Sequence, residues 1–253
     1  MGVLNVTPDS FSDGGRWLDF EAAVAHGRDL VSEGADIVDV GGESTRPGAE
    51  PVPVEEELRR VVPVVRELAP LVRVSVDTRK PEVAEAAVEA GAAILNDVSA
   101  SLHEVAASTG AGWIAMHMKG DPRTMQRQAH YDDVVSEVLA FLVERAEAGR
   151  AAGVDDVWVD PGIGFAKTAE HNLALLAHLD ELVATGWPVV VGTSRKSFIG
   201  ILSGGAPAGD RLEGSLATAT WAMAQGATVV RVHDVRPTVQ AARIVGDAGE
   251  GGG

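Results

Sequence analysis

Short runs of β-branched and other apolar residues alternate along this chain with longer stretches rich in Ala, Glu and Arg, whose apolar positions recur with helical spacing. The short runs predict eight strands, at 2–6, 36–42, 72–78, 93–99, 112–118, 156–162, 188–194 and 228–234. The longer stretches predict helices near 19–33, 53–69, 80–90, 101–109, 131–152, 169–185, 210–225 and 236–246. Each strand after the first follows a short Gly, Pro or polar break, which is typical of a helix that ends and turns into a strand.

A strand followed by a helix, repeated eight times, predicts a parallel sheet that closes into a barrel. Alternating units of this kind build parallel sheets, and eight strands are the number that closes one. We therefore expect the α/β class and a single (β/α)8 TIM barrel over residues 1–246, followed by a frayed, disordered tail at 247–253. A doubly wound open sheet is the alternative architecture for the same alternation.

Composition and charge narrow the classes of function. The 253 residues are 45% hydrophobic, which is enough for a sizeable core, and no apolar run approaches the roughly 20 residues that span a bilayer. The N-terminus lacks the basic and apolar regions of a signal peptide, so we expect a soluble, cytoplasmic protein. A net charge of −16 argues against nonspecific binding to nucleic acid or anionic membranes. Because the chain has no cysteine, any metal must be held by oxygen or imidazole.

Polar residues come at the end of every predicted strand. In a barrel the carboxyl ends of the strands meet at one mouth, where active sites are built. The residues concerned are Asn5, Glu43, Arg46, Asp77, Asn96, Asp97, His117, Asp160, Ser194, Arg195, Lys196, Arg231 and His233. Any one of them could cap a helix or lie in solvent, but eight strands that deliver polar groups to one rim indicate a binding site.

One part of this rim carries acceptors. Asp77, Asn96 and Asp160 follow strands 3, 4 and 6, so they can converge on one side of the mouth. Two carboxylates and an amide suit a flat heterocycle that is rich in hydrogen-bond donors. The aminopyrimidinone edge of a guanine or a pterin fits this set.

Another part of the rim is cationic. Strand 8 neighbours strand 1 once a barrel closes, which places Arg231 and His233, two residues apart on one face, beside Asn5. Lys196 and Arg46 can approach from flanking loops. Four potential cations around one amide oxygen indicate a phosphate or diphosphate site, with Mg2+ on the oxygen of Asn5.

Nine stretches of the chain, in matching order and spacing, resemble the bacterial dihydropteroate synthases, a family of pterin-binding enzymes. They are MGVLNVTPDSFSDGG (1–15), VDVGGESTRPGA (38–49), VSVDT (74–78), ILNDVS (94–99), MHMKGDP (116–122), DPGIGFAKT (160–168), GTSRKSFIG (192–200), RLEGSLA (211–217) and RVHDVR (231–236). The resemblance implies a barrel that joins p-aminobenzoate to 6-hydroxymethyl-7,8-dihydropterin diphosphate, forming 7,8-dihydropteroate and diphosphate in folate synthesis. It also implies Mg2+ dependence, a homodimer and inhibition by sulfonamides.

The resemblance further implies roles for individual residues. The pterin is bound by Asp77, Asn96, Asp160 and Lys196, with Met116 against its ring. The diphosphate is handled by Asn5 with Mg2+, Arg46, Arg231 and His233. The p-aminobenzoate pocket is shaped by Thr45, Pro47, Phe165 and Ser197. The mobile first loop, which helps to close the site, contains Asp9 and Asp13.

A dissociative, SN1-like displacement fits these residues. Diphosphate leaves readily once its charge is neutralised, and the pterin ring and Asp77 can stabilise a methylene cation. The aromatic amine is a neutral nucleophile at pH 7, so positioning matters more than a strong base, and we assign no residue as general base.

Two other functions share parts of this pattern. A methyltransferase that uses methyltetrahydrofolate has the same pterin-binding barrel, but it needs none of the STRPG, SRKS and RVH segments, and this chain has all three. A paralogue that binds pterin without catalysis should have lost cationic or loop residues, and none is lost here. The chain departs from the family in two places: it begins directly at strand 1, which suggests a truncated or alternative start, and the loop after strand 4 is short, with SA where GG is common.

Overall fold

The eight predicted strands all form in the structure, a computed structural model that describes residues 1–7, 15–44, 48–121 and 123–250. Each strand is shorter than the run that predicts it. Their bounds are β1 (Gly2–Asn5), β2 (Ile37–Gly41), β3 (Arg73–Asp77), β4 (Ile94–Asp97), β5 (Gly112–Met116), β6 (Val157–Asp160), β7 (Val190–Val191) and β8 (Val229–Val230).

The strands form a closed parallel ring. β1 to β6 pair in sequence order, and β7 pairs with β8. Two isolated parallel bridges join these two sheets: Val159 with Val189 between β6 and β7, and Gly2 with Val232 between β8 and β1. The N–H of Val3 also donates to the carbonyl oxygen of Val232 at 2.9 Å. An open sheet would leave β1 as an edge strand, so the barrel prediction is confirmed and the open-sheet alternative is wrong.

Helices follow the strands around the ring. They are α1 (Gly15–Ser32), α2 (Val54–Leu68), α3 (Pro81–Glu89), α4 (His103–Thr109), α5 (Val134–Ala151), α6 (Ala169–Ala177), α7 (Leu179–Val183), α8 (Ser197–Leu202), α9 (Leu212–Ala224) and α10 (Val235–Glu250). The predicted helix over 169–185 is divided at His178, whose backbone leaves the helical region (φ −111°, ψ 29°). The short helix α8 was not predicted. Within the described ranges, none of the helices has the length and apolarity that crossing a membrane requires.

The hydrophobic core has two layers. The larger lies between the strands and the surrounding helices and holds most of the buried aliphatic residues. The smaller lies inside the barrel and consists of Ile37, Ile94, Ile114, Trp158 and Val190, one from each of β2, β4, β5, β6 and β7. Because these residues fill the interior near the start of their strands, the interior is free for other side chains only toward the carboxyl ends.

Candidate active site

The next interior layer of the barrel is polar. Side chains two positions apart on a strand share a face, so the residues that follow the apolar layer by two face the same interior. On β2, β4, β5 and β6 these residues are Asp39, Asn96, Met116 and Asp160, and all four are buried. The alternation that places the apolar layer inside the barrel thus also places acidic and amide groups directly above that layer.

Arg231, which follows β8, reaches across this layer to two carboxylates. Its Nε donates to Oδ2 of Asp39 at 2.6 Å, and its Nη2 donates to Oδ2 of Asp77 at 2.8 Å. Nδ2 of Asn96 donates to the same oxygen of Asp39 at 3.0 Å. Residues from β2, β3, β4 and the end of β8 therefore form one hydrogen-bonded network in the centre of the barrel.

Burial shifts the pKa values of this network. Desolvation raises the pKa of Asp77 to about 7, because it outweighs the attraction of Arg231, while the nearby Asp39 raises that pKa further. Burial also acts against the charge of Arg231, but Asp39 and Asp77 together raise its pKa above the usual value. Arg231 is therefore a permanent cation, whereas Asp77 titrates near neutral pH.

Lys196 lies on another side of the mouth, beside the loop that follows β6. Its Nζ lies 4.1 Å from the ring centroid of Phe165, a cation–π contact. Burial lowers the pKa of Lys196 to about 8, and the neighbouring cation Arg231 contributes to this shift. Asp160, whose Oδ1 accepts from the N–H of Gly162 at 2.7 Å, has a pKa that burial raises. The structure therefore brings a lysine and an aromatic ring, both predicted to bind substrates, into contact.

His233 is held against Ser194, which follows β7. The N–H of His233 donates to Oγ of Ser194 at 3.1 Å, and Nδ1 of its ring lies 3.0 Å from the same oxygen. Burial, together with Arg231, lowers the pKa of His233 to about 3. The imidazole is therefore neutral at pH 7 and does not add to the predicted cations, but a neutral imidazole can still donate one hydrogen bond to a phosphate.

Asn5 lies at the level of Asp77 around the ring. Asn5 is in register with Gly41, which is in turn in register with Asp77. A Cβ on Gly41 would lie 3.8 Å from both Oδ1 of Asn5 and Oδ2 of Asp77, so the glycine leaves a gap between these side chains. Oδ2 of Asp77, which borders this gap, is the oxygen that accepts from Nη2 of Arg231.

The other predicted site residues are placed as follows. Met116 is buried at the end of β5, in register with Asp160. Ser197 is exposed and begins α8, directly after Lys196. The remaining five, Asp9, Asp13, Thr45, Arg46 and Pro47, lie outside the described residues.

Two strand-end carboxylates serve the scaffold. Oδ2 of Asp97 accepts from the N–H of Leu102 at 2.7 Å and from Nε1 of Trp113 at 3.1 Å, so Asp97 fixes the short loop after β4. Oε2 of Glu43 accepts from Nζ of Lys80 at 2.6 Å and from the N–H of Val52 at 2.8 Å. These contacts account for both carboxylates without a ligand.

Asp39 is the functional candidate that the sequence reasoning missed. Asp39 is the third residue of β2 and so lies outside the strand ends from which the site is predicted. The available signal was the alternation itself, since Asp39 follows the interior residue Ile37 by two positions in an otherwise apolar strand. A fully buried aspartate at such a position requires a cationic partner, which here is Arg231, directly after β8.

Known proteins share this fold and sequence. The family model described as "Pterin binding enzyme" matches residues 1–233. The dihydropteroate synthase of Escherichia coli is 49% identical over 253 residues, which are 97% of this chain and 89% of that protein. The Xanthomonas albilineans dihydropteroate synthase with 4-aminobenzoic acid has a TM-score of 0.92 at 49% identity, covering 98% of this chain and 92% of that one. The Yersinia pestis enzyme in a sulfonamide drug complex has a TM-score of 0.92 at 45% identity, covering 99% and 94%.

Proposed function

Because this chain belongs to the dihydropteroate synthase family of pterin-binding enzymes, we propose that the polar layer of its barrel binds the pterin diphosphate and that the adjoining loops bind p-aminobenzoate. The activity is that of a dihydropteroate synthase, a transferase of folate synthesis. The observation that carries the proposed site is the network of Asp39, Asp77, Asn96 and Arg231. It joins the acceptors that a pterin needs to the cation that a diphosphate needs.

The pterin would lie above the apolar layer of the barrel interior. Its amino and ring N–H groups would donate to Asp77 and Asp160, and the amide of Asn96 would complement its edge. Lys196 would donate to an acceptor of the pterin, and Met116 would contact the ring. Since Asp77 is occupied by Arg231 in the structure, the pterin donors would compete with the guanidinium for this carboxylate.

The diphosphate would lie toward β1 and β8. Arg231, displaced from Asp77 by the pterin, would still be held by Asp39 and could turn its outer nitrogens to the phosphate oxygens. His233 would donate to the diphosphate as a neutral imidazole. Arg46 is proposed as a further cation.

Asn5 is suited to share Mg2+ with the diphosphate. Among the residues that the structure describes, no group of three or more His, Asp or Glu could hold a metal ion by itself. Mg2+ commonly takes one or two protein oxygens and completes its shell with water and substrate phosphates, so the amide oxygen of Asn5 beside the gap at Gly41 fits this role. Bound Mg2+ would neutralise part of the charge of the leaving diphosphate.

The p-aminobenzoate would lie against Phe165. We assign it Phe165, Ser197, Thr45 and Pro47, with Asp9 and Asp13 in the loop that helps to close the mouth. The X. albilineans relative binds 4-aminobenzoic acid and the Y. pestis relative binds a sulfonamide drug, which supports p-aminobenzoate as substrate and sulfonamides as inhibitors here.

In the proposed mechanism the bond between the pterin methylene carbon and the diphosphate oxygen breaks first. The bonding pair leaves with the diphosphate, and the carboxylate of Asp77 stabilises the developing positive charge on the pterin. The amine nitrogen of p-aminobenzoate then forms the new C–N bond and loses a proton to water or to the released diphosphate. The contribution of the chain is to align the two substrates, and no side chain is needed as a strong base.

Product analysis tests this proposal directly. Purified protein is incubated with p-aminobenzoate, the pterin diphosphate and Mg2+, and 7,8-dihydropteroate is identified by mass spectrometry. We expect stoichiometric formation of dihydropteroate and diphosphate. Pterin binding without product would instead indicate a binding paralogue.

Pterin binding should have a bell-shaped pH dependence. Asp77 accepts best as a carboxylate, which forms above its pKa of about 7, and Lys196 donates as an ammonium, which is lost above its pKa of about 8. Affinity should therefore rise with pH through 7 and fall through 8. Calorimetric titration with 6-hydroxymethyl-7,8-dihydropterin, which has no phosphate to titrate, measures this profile. Asp77→Asn should lose the step of the acidic limb near pH 7, and a step near pH 7 that persists in this variant would contradict the assignment of Asp77.

We propose that the protein forms a homodimer through α6, α8 and α9, where α6 packs against both of the other helices. Exposed apolar side chains mark this face: Leu173, Ile201, Leu202, Leu212 and Trp221. Light scattering should give twice the mass of one chain, and Ile201→Asp should halve it, because Ile201 is 67% exposed and can be changed without disturbing the core. An unchanged dimer in this variant would place the interface elsewhere.

A cytoplasmic location is also proposed, in keeping with a chain without cysteine.

A further inference from the structure

A buried lysine beneath the loop after β6 has no part in the site described above. Lys167 is only 4% exposed, and its Nζ lies 2.9 Å from Nδ1 of His117 and 3.0 Å from the carbonyl oxygen of Phe165. It also lies 3.4 Å from the carbonyl oxygen of His117. Three acceptors surround this nitrogen, which is the number that an ammonium can satisfy.

The surroundings of His117 make its ring the acceptor in the contact with Lys167. Its ring is buried, with Phe141 in an edge-on contact at 5.0 Å between centroids. Burial, together with the charge of Lys167, lowers the pKa of His117 to about 3, so the ring is neutral. When Lys167 is an ammonium it can only donate, so the lone pair that faces it is on Nδ1 of His117 and the ring proton is on Nε2.

The backbone of the loop after β6 lies directly against His117. Gly162 has a φ of +65°, and a Cβ there would lie 2.0 Å from the carbonyl oxygen of His117, so only glycine fits. The N–H of His117, which directly follows β5, donates to the carbonyl oxygen of Asp160 at 3.0 Å. The loop is thus fixed at its start by Asp160 and Gly162 and at its end by Lys167.

We propose that Lys167 is a positioning residue for p-aminobenzoate: by holding the carbonyl oxygen of Phe165 to His117, it fixes the Phe165 ring against the ammonium of Lys196. This inference rests on the proposed function, which places Phe165 in the p-aminobenzoate pocket. Lys167 itself touches neither substrate. Its loss should weaken p-aminobenzoate binding and leave pterin binding nearly unchanged.

A double-mutant cycle tests the proposal. Lys167→Met keeps the apolar stem and removes the ammonium, and we expect the KM for p-aminobenzoate to rise about tenfold while the KM for the pterin diphosphate changes less than about twofold. Phe165→Ala should raise the same KM, and adding Lys167→Met to it should cause no further rise, because the lysine acts through Phe165.

A second pair of variants, at His117, tests the same proposal even if the Lys167→Met protein does not fold. In His117→Asn the side-chain oxygen can replace Nδ1 as acceptor, so the KM for p-aminobenzoate should stay near that of the parent, whereas His117→Leu should raise it as Lys167→Met does. Equal values for the Asn and Leu variants would overturn the proposal.

The outcomes separate this inference from the proposed function. If Phe165→Ala leaves the KM for p-aminobenzoate unchanged, the assignment of Phe165 to that pocket is wrong. If Phe165→Ala raises it but the effect of Lys167→Met is absent or fully additive, the pocket stands and Lys167 does not position it.

Discussion

Lys196→Ala is expected to lower kcat/KM for the pterin diphosphate about 100- to 1000-fold. Removing one preorganised donor from an active site typically lowers the rate about 100- to 1000-fold, which is about 2.7–4 kcal/mol at about 1.4 kcal/mol for each tenfold. Two losses combine here. The pterin loses the donor Lys196, and Asp160, whose pKa Lys196 helps to lower, becomes easier to protonate and so a poorer acceptor.

Matched variants separate the charge of Lys196 from its packing. Lys196→Met keeps the stem that lies along Gly164 and Phe165, so a loss equal to that of Lys196→Ala would assign the effect to the ammonium. Lys196→Arg keeps a cation and should retain more activity than either.

The stability of the Lys196→Met variant should be at least that of the parent. Burial lowers the pKa of Lys196 to about 8, below the 10.5 of an ordinary lysine, so charging this group costs the folded state free energy below pH 8. This cost disappears when the ammonium is removed. Calorimetric binding and thermal unfolding measure the two effects, and unchanged pterin affinity in the Met and Ala variants would remove Lys196 from the site.

Much of the fold follows from local pattern. Eight β-branched runs predicted eight strands because an apolar strand buried on both faces has a signal that neighbouring helices do not share. The strand ends likewise predicted Asp77, Asn96, Asp160 and Lys196, since barrel geometry alone directs these ends to one mouth. The division of the helix over 169–185 was not predictable, because the sequence around His178 has no helix breaker.

The partners of the site residues were beyond local reasoning. Arg231 lies 192 positions from Asp39 and 154 from Asp77 along the chain, so their contact exists only after the barrel closes. The sequence predicts Arg231 as a phosphate ligand but not its pairing with two carboxylates, which the structure shows. The neutrality of His233 depends on burial, which comes from elements distant in sequence.

Asp39→Ala is expected to be both the least stable and among the least active variants of this barrel. Asp39 is fully buried, and its Oδ2 accepts from both Arg231 and Asn96. Its removal leaves the guanidinium with one carboxylate and the amide of Asn96 without its acceptor. Breaking a buried pair in this way costs about 3–5 kcal/mol, which corresponds to a fall in the unfolding midpoint of about 6–10 °C for a chain of this size.

Asp39→Asn provides the control that preserves shape. Oδ2 of Asp39 holds both donors while Oδ1 has no partner, so an asparagine oriented with its oxygen at the Oδ2 position keeps the two hydrogen bonds, loses the charge and leaves its amino group unpaired at the Oδ1 position. Its midpoint should lie closer to that of the parent than to that of Asp39→Ala. Because the negative charge of Asp39 raises the pKa of Asp77, the acidic limb of pterin binding should move below pH 7 in this variant.

The two readouts together decide the role of Asp39. In our proposal Asp39 keeps Arg231 in place after the pterin has taken over Asp77, so Asp39→Asn should lower kcat/KM for the pterin diphosphate about tenfold and weaken binding of the phosphate-free pterin much less. The measurements are kinetics with the diphosphate and calorimetry with 6-hydroxymethyl-7,8-dihydropterin. Equal losses for both ligands would show that Asp39 serves the pterin pocket. An acidic limb at the same pH as in the parent would show that the charge of Asp39 does not affect the pKa of Asp77.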